Sequence, residues 1–137
     1  MNFQQTGRFG EEIAVKYLKS KGYKILERNF QRKVSRFLKS EIDIVAQKNN
    51  TLCFVEVKAI KKGRFDSIER FLPSDKVNFK KKRKLIKSAE YWLAKNKVPL
   101  NSKWQIDVIA VVIDSGSKKA KISHFKNAIS DFGSFVI

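Results

Sequence analysis

The chain has 137 residues, 42% hydrophobic and 12% aromatic, which suits one domain with a core that needs no disulfide or structural metal and excludes wholesale disorder. Lys and Arg number 30 against 13 Asp and Glu, a formal charge of +17, so the expected partner is a polyanion. The basic residues do not line an amphipathic helix with a wide Leu/Phe face, so nucleic acid is preferred to a membrane surface.

Residues 7–21 are predicted as a first helix, with Thr6 as N-cap, Gly22 as the C′ residue and Ile13, Ala14, Tyr17 and Leu18 as the apolar stripe. At about 100° per residue, Glu11 falls beside Ala14 and Leu18 at the edge of that stripe, whereas Glu12 points to solvent. Glu11 is therefore a candidate site residue, although an N-terminal carboxylate also favours the helix dipole. Residues 23–30 are predicted as a strand and 31–39 as a basic connection carrying Arg32, Lys33, Arg36 and Lys39.

The stretch SEIDIVAQKNNTLCFVEVK, residues 40–58, predicts a hairpin, because two alternating runs flank Asn49-Asn50, a pair able to take positive φ in a two-residue turn. With Lys48 facing Thr51, Asp43 falls opposite Glu56 and Glu41 opposite Lys58. One face then pairs Ile42 with Val57, Ile44 with Val55 and Ala46 with Cys53. The other pairs Gln47 with Leu52 and Val45 with Phe54 and gathers Glu41, Asp43, Glu56 and Lys58 at one end. Two carboxylates across a ladder repel at a cost of up to about 1 kcal/mol, so a compensating cation is expected. Mg²⁺ or Mn²⁺ would take carboxylate oxygens, and Lys58 could orient or deprotonate an attacking water. A bare D…ExK spacing is more often a solvated sheet face, but Val45, Leu52 and Phe54 on the same side imply that this face is covered.

Residues 59–75, with Gly63 and Pro73 and no clean period, are expected to form a loop starting at the charged cluster. Residues 76–96 predict a second helix, capped by Ser74 or Asp75, with Leu85, Ile86, Ala89, Trp92 and Leu93 inward. Its first half carries Lys80, Lys81, Lys82, Arg83, Lys84 and Lys87, and Lys82 falls in line with Leu85, Ile86 and Ala89. Residues 104–114 predict a central strand interrupted by Asp107, and residues 120–125 a last strand. His124, with no second His and no Cys at ligand spacing, is expected to be structural rather than a metal ligand. The longest apolar run, Val108 to Ile113, is too short to span a bilayer. MNFQQTGRFGEE has no signal-peptide core and the single Cys53 lies in a predicted strand, so the cytoplasm is the expected location. There is no Gly-rich phosphate loop, GxSxG or CxxC.

The blocks GRFGEEIAVKYL, GYKILERNF, SEIDIVA, LCFVEVK, KKRKLIKSAEYWL, QIDVIAV and ISHFKNAI together resemble the bacterial UPF0102 (YraN-like) family, which looks like a small branch of the PD-(D/E)XK nuclease superfamily and is similar to archaeal Holliday junction resolvases. The resemblance spans nearly the whole chain, and EIDIVA followed by FVEVK is its most specific part. It implies an α/β, restriction-endonuclease-like fold with an αβββαβ core, its central mixed sheet flanked by helices, in a single domain over 1–137. It also implies Asp43, Glu56 and Lys58 in the D…ExK motif and Glu11 as the helix acid. The chain departs from the family pattern at Ser40, Ile60 and Gln105, where the family has Gly, Arg and Arg. The family's helix lysine maps to Lys81, whereas helix phase favours Lys82.

The expected function is metal-dependent cleavage of DNA, with branched or damaged DNA as candidate substrates: Asp43, Glu56 and Glu11 hold Mg²⁺ or Mn²⁺ and Lys58 aligns the water. Lys80, Lys81, Lys82, Lys84, Arg32, Lys33 and Arg36 are the candidate nucleic-acid contacts. DNA is preferred to RNA, and a homodimer is a candidate assembly. The alternatives are a nucleic-acid-binding module that keeps the nuclease fold without cleavage, and an RNA-associated factor, which leaves the carboxylate cluster unexplained.

Overall fold

The computed structural model describes residues 2–33, 35, 39–62, 79–114 and 116–129. In chain order these form α1 (Phe3–Ser20), β1 (Lys24–Lys33), β2 (Lys39–Lys48), β3 (Thr51–Lys61), α2 (Phe79–Lys95), β4 (Trp104–Asp114) and β5 (Lys119–Ile129). The five strands make one sheet in the order β1-β2-β3-β4-β5, with β3 and β4 parallel and every other neighbour antiparallel. The expected α/β class, with a mixed sheet flanked by helices in the order αβββαβ and then β, is the fold observed.

α1 starts earlier than its predicted cap. Asn2, not Thr6, is the N-cap: its side chain accepts from the Gln5 amide at 2.9 Å, and Gln5 Oε1 accepts from the Asn2 amide at 3.0 Å, closing a capping box. Thr6 is instead buried inside the helix. The C-terminal reading holds. Gly22, at φ +90°, lets the Tyr23 amide reach the Leu18 carbonyl at 2.9 Å and the Gly22 amide reach Lys19 at 3.1 Å, the paired bonds of a Schellman ending.

Each helix covers one face. On the α1 side, Ala14, Val15 and Leu18 pack on Ile44, Ala46, Cys53, Val55, Ile109, Val111 and Ile113. On the α2 side, Leu85, Ile86, Ala89, Trp92 and Leu93 pack on Phe30, Ile42, Val45, Leu52, Phe54 and Ile106. The hairpin turn is as expected, with φ of 51° at Asn49 and 64° at Asn50 and Lys48 paired with Thr51.

Three further boundaries differ from the sequence reading. β3 continues through Lys61 instead of giving way to loop at residue 59, because parallel β4 keeps pairing it, Ile60 with Val112 and Lys61 with Ile113. β1 runs on to Lys33, paired with Lys39, so part of the basic connection is strand. β5 reaches Ile129 because a bulge between the pairs Val108↔Phe125 and Ile106↔Ile129 absorbs an irregular step, with Asn127 at φ 51°. Arg36, the Ser74 and Asp75 caps and most of the 59–75 stretch lie outside the described residues.

Candidate active site at the fork between β2 and β3

The ladder between β2 and β3 runs from Lys48↔Thr51 to Ile44↔Val55, and there the expected pairing of residue 43 with 56 is replaced by a different arrangement. Ile44 packs on the α1 side but Ile42 packs on the α2 side, although residues two apart in a regular strand share a face. Ile42 therefore does not join Ile44 and Ala46 as the alternation predicts. The same switch occurs next door in β1, where Arg28 reaches Glu12 of α1 while Phe30 joins the α2 core. Between them stands Asn29 at φ 54°, opposite Asp43 in the β1–β2 register.

This change of face turns Asp43 into the gap between the strands. Its Oδ2 accepts the Val57 amide at 2.7 Å, so a side chain takes a backbone donor just past the end of the ladder. β3 keeps its alternation, with Phe54 on the α2 side and Val55 and Val57 on the α1 side, which sends Glu56 and Lys58 toward the α2 side. Glu56 is buried, and Lys58 Nζ stands 3.1 Å from its Oε1. The expectation that Lys58 shares the face of Glu56 is met, whereas Asp43 lies in the fork rather than on the face of Val45 and Phe54.

Glu11 arrives from α1, half-buried, while Glu12 beside it is exposed and pairs with Arg28 at 2.7 Å, as the helix phase predicts. Gly10 makes this approach possible: a Cβ there would stand 2.5 Å from the Ala59 Cβ, so only glycine lets α1 lie this close to β3.

Burial, and after it the charge of Glu56, pushes the Asp43 carboxyl up to about 8; Glu11 and Glu41 push the same way, against the pull of the Val57 amide. Glu41, at the exposed rim, is raised by partial burial and then by Glu11 and Glu56. Glu11, Glu41, Asp43 and Glu56 thus form one electrostatic unit. Glu41 was legible as part of the charged end of the hairpin, but nothing in its spacing marked it as a member of the site. Among the described residues no three His, Cys, Asp or Glu side chains are grouped as a ready metal-binding set. The donor chemistry nevertheless suits a hard divalent ion, since Mg²⁺ is commonly held by one or two carboxylates with water filling its other positions.

Of the basic candidates, Lys82 and Lys84 of α2 are half-buried, Lys33 is exposed, and the side chains of Lys80 and Lys81 lie outside the described residues. Arg32 is partly committed inward, its Nε donating to Ser88 Oγ at 3.2 Å. Ser88 donates to Ser40 Oγ at 2.6 Å, and Ser40 to the Lys84 carbonyl at 3.4 Å, so this chain of bonds ties β1 and β2 to α2.

A second polar cluster lies beneath α1. Asp107, fully buried on β4, accepts from His124 Nε2 at 2.8 Å, Gln105 Nε2 at 2.8 Å and the Asn127 amide at 2.9 Å. The other ring nitrogen of His124 meets Tyr17 Oη at 3.0 Å. Burial alone would raise Asp107, but these hydrogen bonds hold it below the ordinary carboxylate value. Burial and then Asp107 push the Cys53 thiol up to about 12, so it stays protonated. His124, on the edge strand β5, has both ring nitrogens engaged, by Asp107 and by Tyr17, which suits the expected structural role.

Uncharacterised protein family UPF0102 matches residues 10–111. A UPF0102 protein of Caldicellulosiruptor bescii is 40% identical over 128 residues, covering 93% of this chain and 99% of the relative. Another, from Clostridioides difficile, is 39% identical with the same coverage, and one from Fervidobacterium nodosum is 43% identical over 91% of this chain and 82% of its own. The matched span runs from the glycine that admits α1 through the acidic fork and into the strand of Asp107, and the chain belongs to the UPF0102 family.

Proposed function

We propose that this protein is a metal-dependent endonuclease of the PD-(D/E)XK type acting on DNA, with branched or damaged DNA as its substrate. The observation that carries this reading is the acidic fork, where Glu11, Glu41, Asp43 and Glu56 act on one another, burial and then Glu56 push Asp43 up to about 8, and Lys58 stands 3.1 Å from Glu56. Purely structural ion pairs have no need of four carboxylates in such mutual reach.

Asp43 and Glu56 would hold Mg²⁺ or Mn²⁺, with Glu11 supporting from α1. The bound ion would supply Lewis-acid activation of the phosphate and of a water. The Val57 amide fixes the rotamer of Asp43, so its free oxygen is presented without a search for geometry. Lys58, pinned to Glu56 at 3.1 Å, aligns the nucleophilic water and offsets charge developing on the phosphoryl oxygens. Lys82, Lys84, Lys33 and Arg32 bind phosphates, joined by Lys80, Lys81 and Arg36, and the net charge of +17 draws the polyanion in. The working compartment is the cytoplasm. No described helix is long and apolar enough to cross a membrane.

Titration calorimetry with Mn²⁺ on the wild type and on Asp43→Ala is the direct test, with heat of binding expected for the first and lost in the second. Glu56→Gln should abolish Mg²⁺-dependent cleavage of a DNA junction while leaving affinity in metal-free buffer equal or higher. Cleavage that survived the change would place the chemistry elsewhere. A second reading, a binding module without cleavage, draws on Asp43 being held by Val57 and Glu56 by Lys58; it predicts identical Mn²⁺ titrations for the two proteins.

A further inference from the structure

Lys84, Lys87, Tyr91 and Lys95 follow one another at helical spacings of three and four, so they share a strip of α2 bordering the line of Ser88 and Trp92. That line faces β1, because Ser88 accepts from Arg32, and Trp92 Nε1 donates to Glu27 Oε1 at 2.9 Å. The strip therefore lies along the α2–β1 seam, with Lys84 half-buried and Lys87, Tyr91 and Lys95 exposed.

Tyr91 is unusual for its size, being 49% exposed. One side of its ring rests on Phe30, with centroids 6.0 Å apart and planes 31° from parallel, and Lys95 Nζ stands 5.5 Å from the Phe30 centroid. Phe30 is buried, so Tyr91 has a firm backing on one side and water on the other. Of the acids nearest the strip, Glu27 accepts from Trp92 Nε1, and Glu90, three residues after Lys87, lies about 100° round the helix from Tyr91.

We propose that this strip is a track for a single-stranded segment of the DNA substrate, with Lys84, Lys87 and Lys95 on phosphates and Tyr91 stacking against a base. A duplex hides the faces of its bases, so a ring offered flat among lysines is of use only to an unpaired strand. From Lys84 to Lys95 the helix rises about 16 Å, the length of roughly five stacked nucleotides at about 3.4 Å each. Ser40, next to Glu41, donates to the Lys84 carbonyl, so the track begins beside the acidic fork. The inference rests on DNA being the substrate and deepens that reading, since it implies junctions or flaps with an unpaired arm.

Fluorescence anisotropy in metal-free buffer, with a short labelled oligo(dT) and a blunt duplex, tests it. Tyr91→Ala should weaken oligo(dT) binding about 5- to 100-fold and leave duplex binding within about twofold, whereas Tyr91→Phe should bind as the wild type does. Tyr91→Leu keeps Phe30 covered but offers no ring, and it should behave like the alanine variant. Lys87→Gln with Lys95→Gln should flatten the salt dependence by about 0.7 for each phosphate of the single strand that is no longer neutralised. Unchanged oligo(dT) affinity in Tyr91→Ala and Tyr91→Leu, equal losses on single strand and duplex, or tighter wild-type binding to oligo(U) than to oligo(dT) would each overturn the track. None of these outcomes bears on Mn²⁺ binding at Asp43, so the track and the nuclease reading can fail separately.

Discussion

Asp43 and Asp107 sit in the same sheet, each in a strand that pairs with β3, and their environments are opposite. Asp107 is wrapped by three donors and lies below its ordinary pKa, while Asp43 has one donor, three acidic neighbours and a pKa pushed up to about 8. Burial raises both carboxyls, so the difference lies in who their neighbours are. A buried acid whose hydrogen bonds are complete suits the framework; one left among other acids suits the cation site proposed above.

The largest expected effect is on stability. Asp107→Ala should cost about 3–5 kcal/mol, because it strands His124, Gln105 and the Asn127 amide, and should lower the melting temperature by roughly 10 °C or more. Asp43→Ala strands only the Val57 amide and removes a carboxyl whose ionisation burial and its acidic neighbours disfavour, so it should lower the melting temperature far less. Equal losses in the two variants, measured by differential scanning calorimetry, would erase the contrast.

The pH dependence should separate them next. Asp43 is raised in the folded state, so its contribution is most favourable at low pH and falls as pH climbs from the ordinary carboxylate range to about 8, by at most about 1.4 kcal/mol per pH unit. Asp107 is lowered, so its contribution is intact above the ordinary range and lost only as pH falls through it into acid. Urea unfolding across this range should show Asp43→Asn with a flatter slope than the wild type, and Mg²⁺ should flatten the wild-type slope as well. An Asp43→Asn slope identical to the wild type would count against the assigned environment.

A smaller effect concerns the route by which Glu11 reaches Asp43. Gly10→Ala should destabilise by about 1–3 kcal/mol through overpacking against Ala59, and the double variant with Ala59→Gly should recover much of it. Lack of coupling in that cycle would mean that α1 does not depend on this contact. The smallest effect is expected at Glu12, whose pairing with Arg28 is at the surface: Glu12→Gln should change stability by less than about 1 kcal/mol and Mn²⁺ affinity not at all, whereas Glu11→Gln should weaken the ion's binding. Calorimetry on the two variants gives the comparison.

What was legible in the sequence was what is local. The Asn49-Asn50 turn, the alternation around it and the phase that divides Glu11 from Glu12 all depend on residues a few positions apart. The turn of Asp43 into the fork was not legible, because a period-two reading carries the pleat unbroken through Ile42, while the real strand changes face together with Asn29 in its neighbour. Asp107 reads as an interruption in an apolar run, since two of its partners, His124 and the Asn127 amide, come from β5 and its bulge, which no spacing announces. Thr6 is the cap that the start of the apolar stripe predicts, whereas N-x-x-Q at residues 2–5 has the form of a capping box that the stripe does not mark.

The parallel pairing of β3 with β4 also sets an order of assembly. The β2–β3 hairpin closes across two residues, whereas the parallel β3–β4 pairing joins strands separated in the chain by α2. The acidic fork is therefore gathered early, with its repulsion felt before the core has formed to hold it, and the Asp107 cluster is completed late, when β5 and α1 dock. Refolding should accordingly speed up when Asp43 is replaced by Asn, and loss of His124 should show itself mainly in faster unfolding.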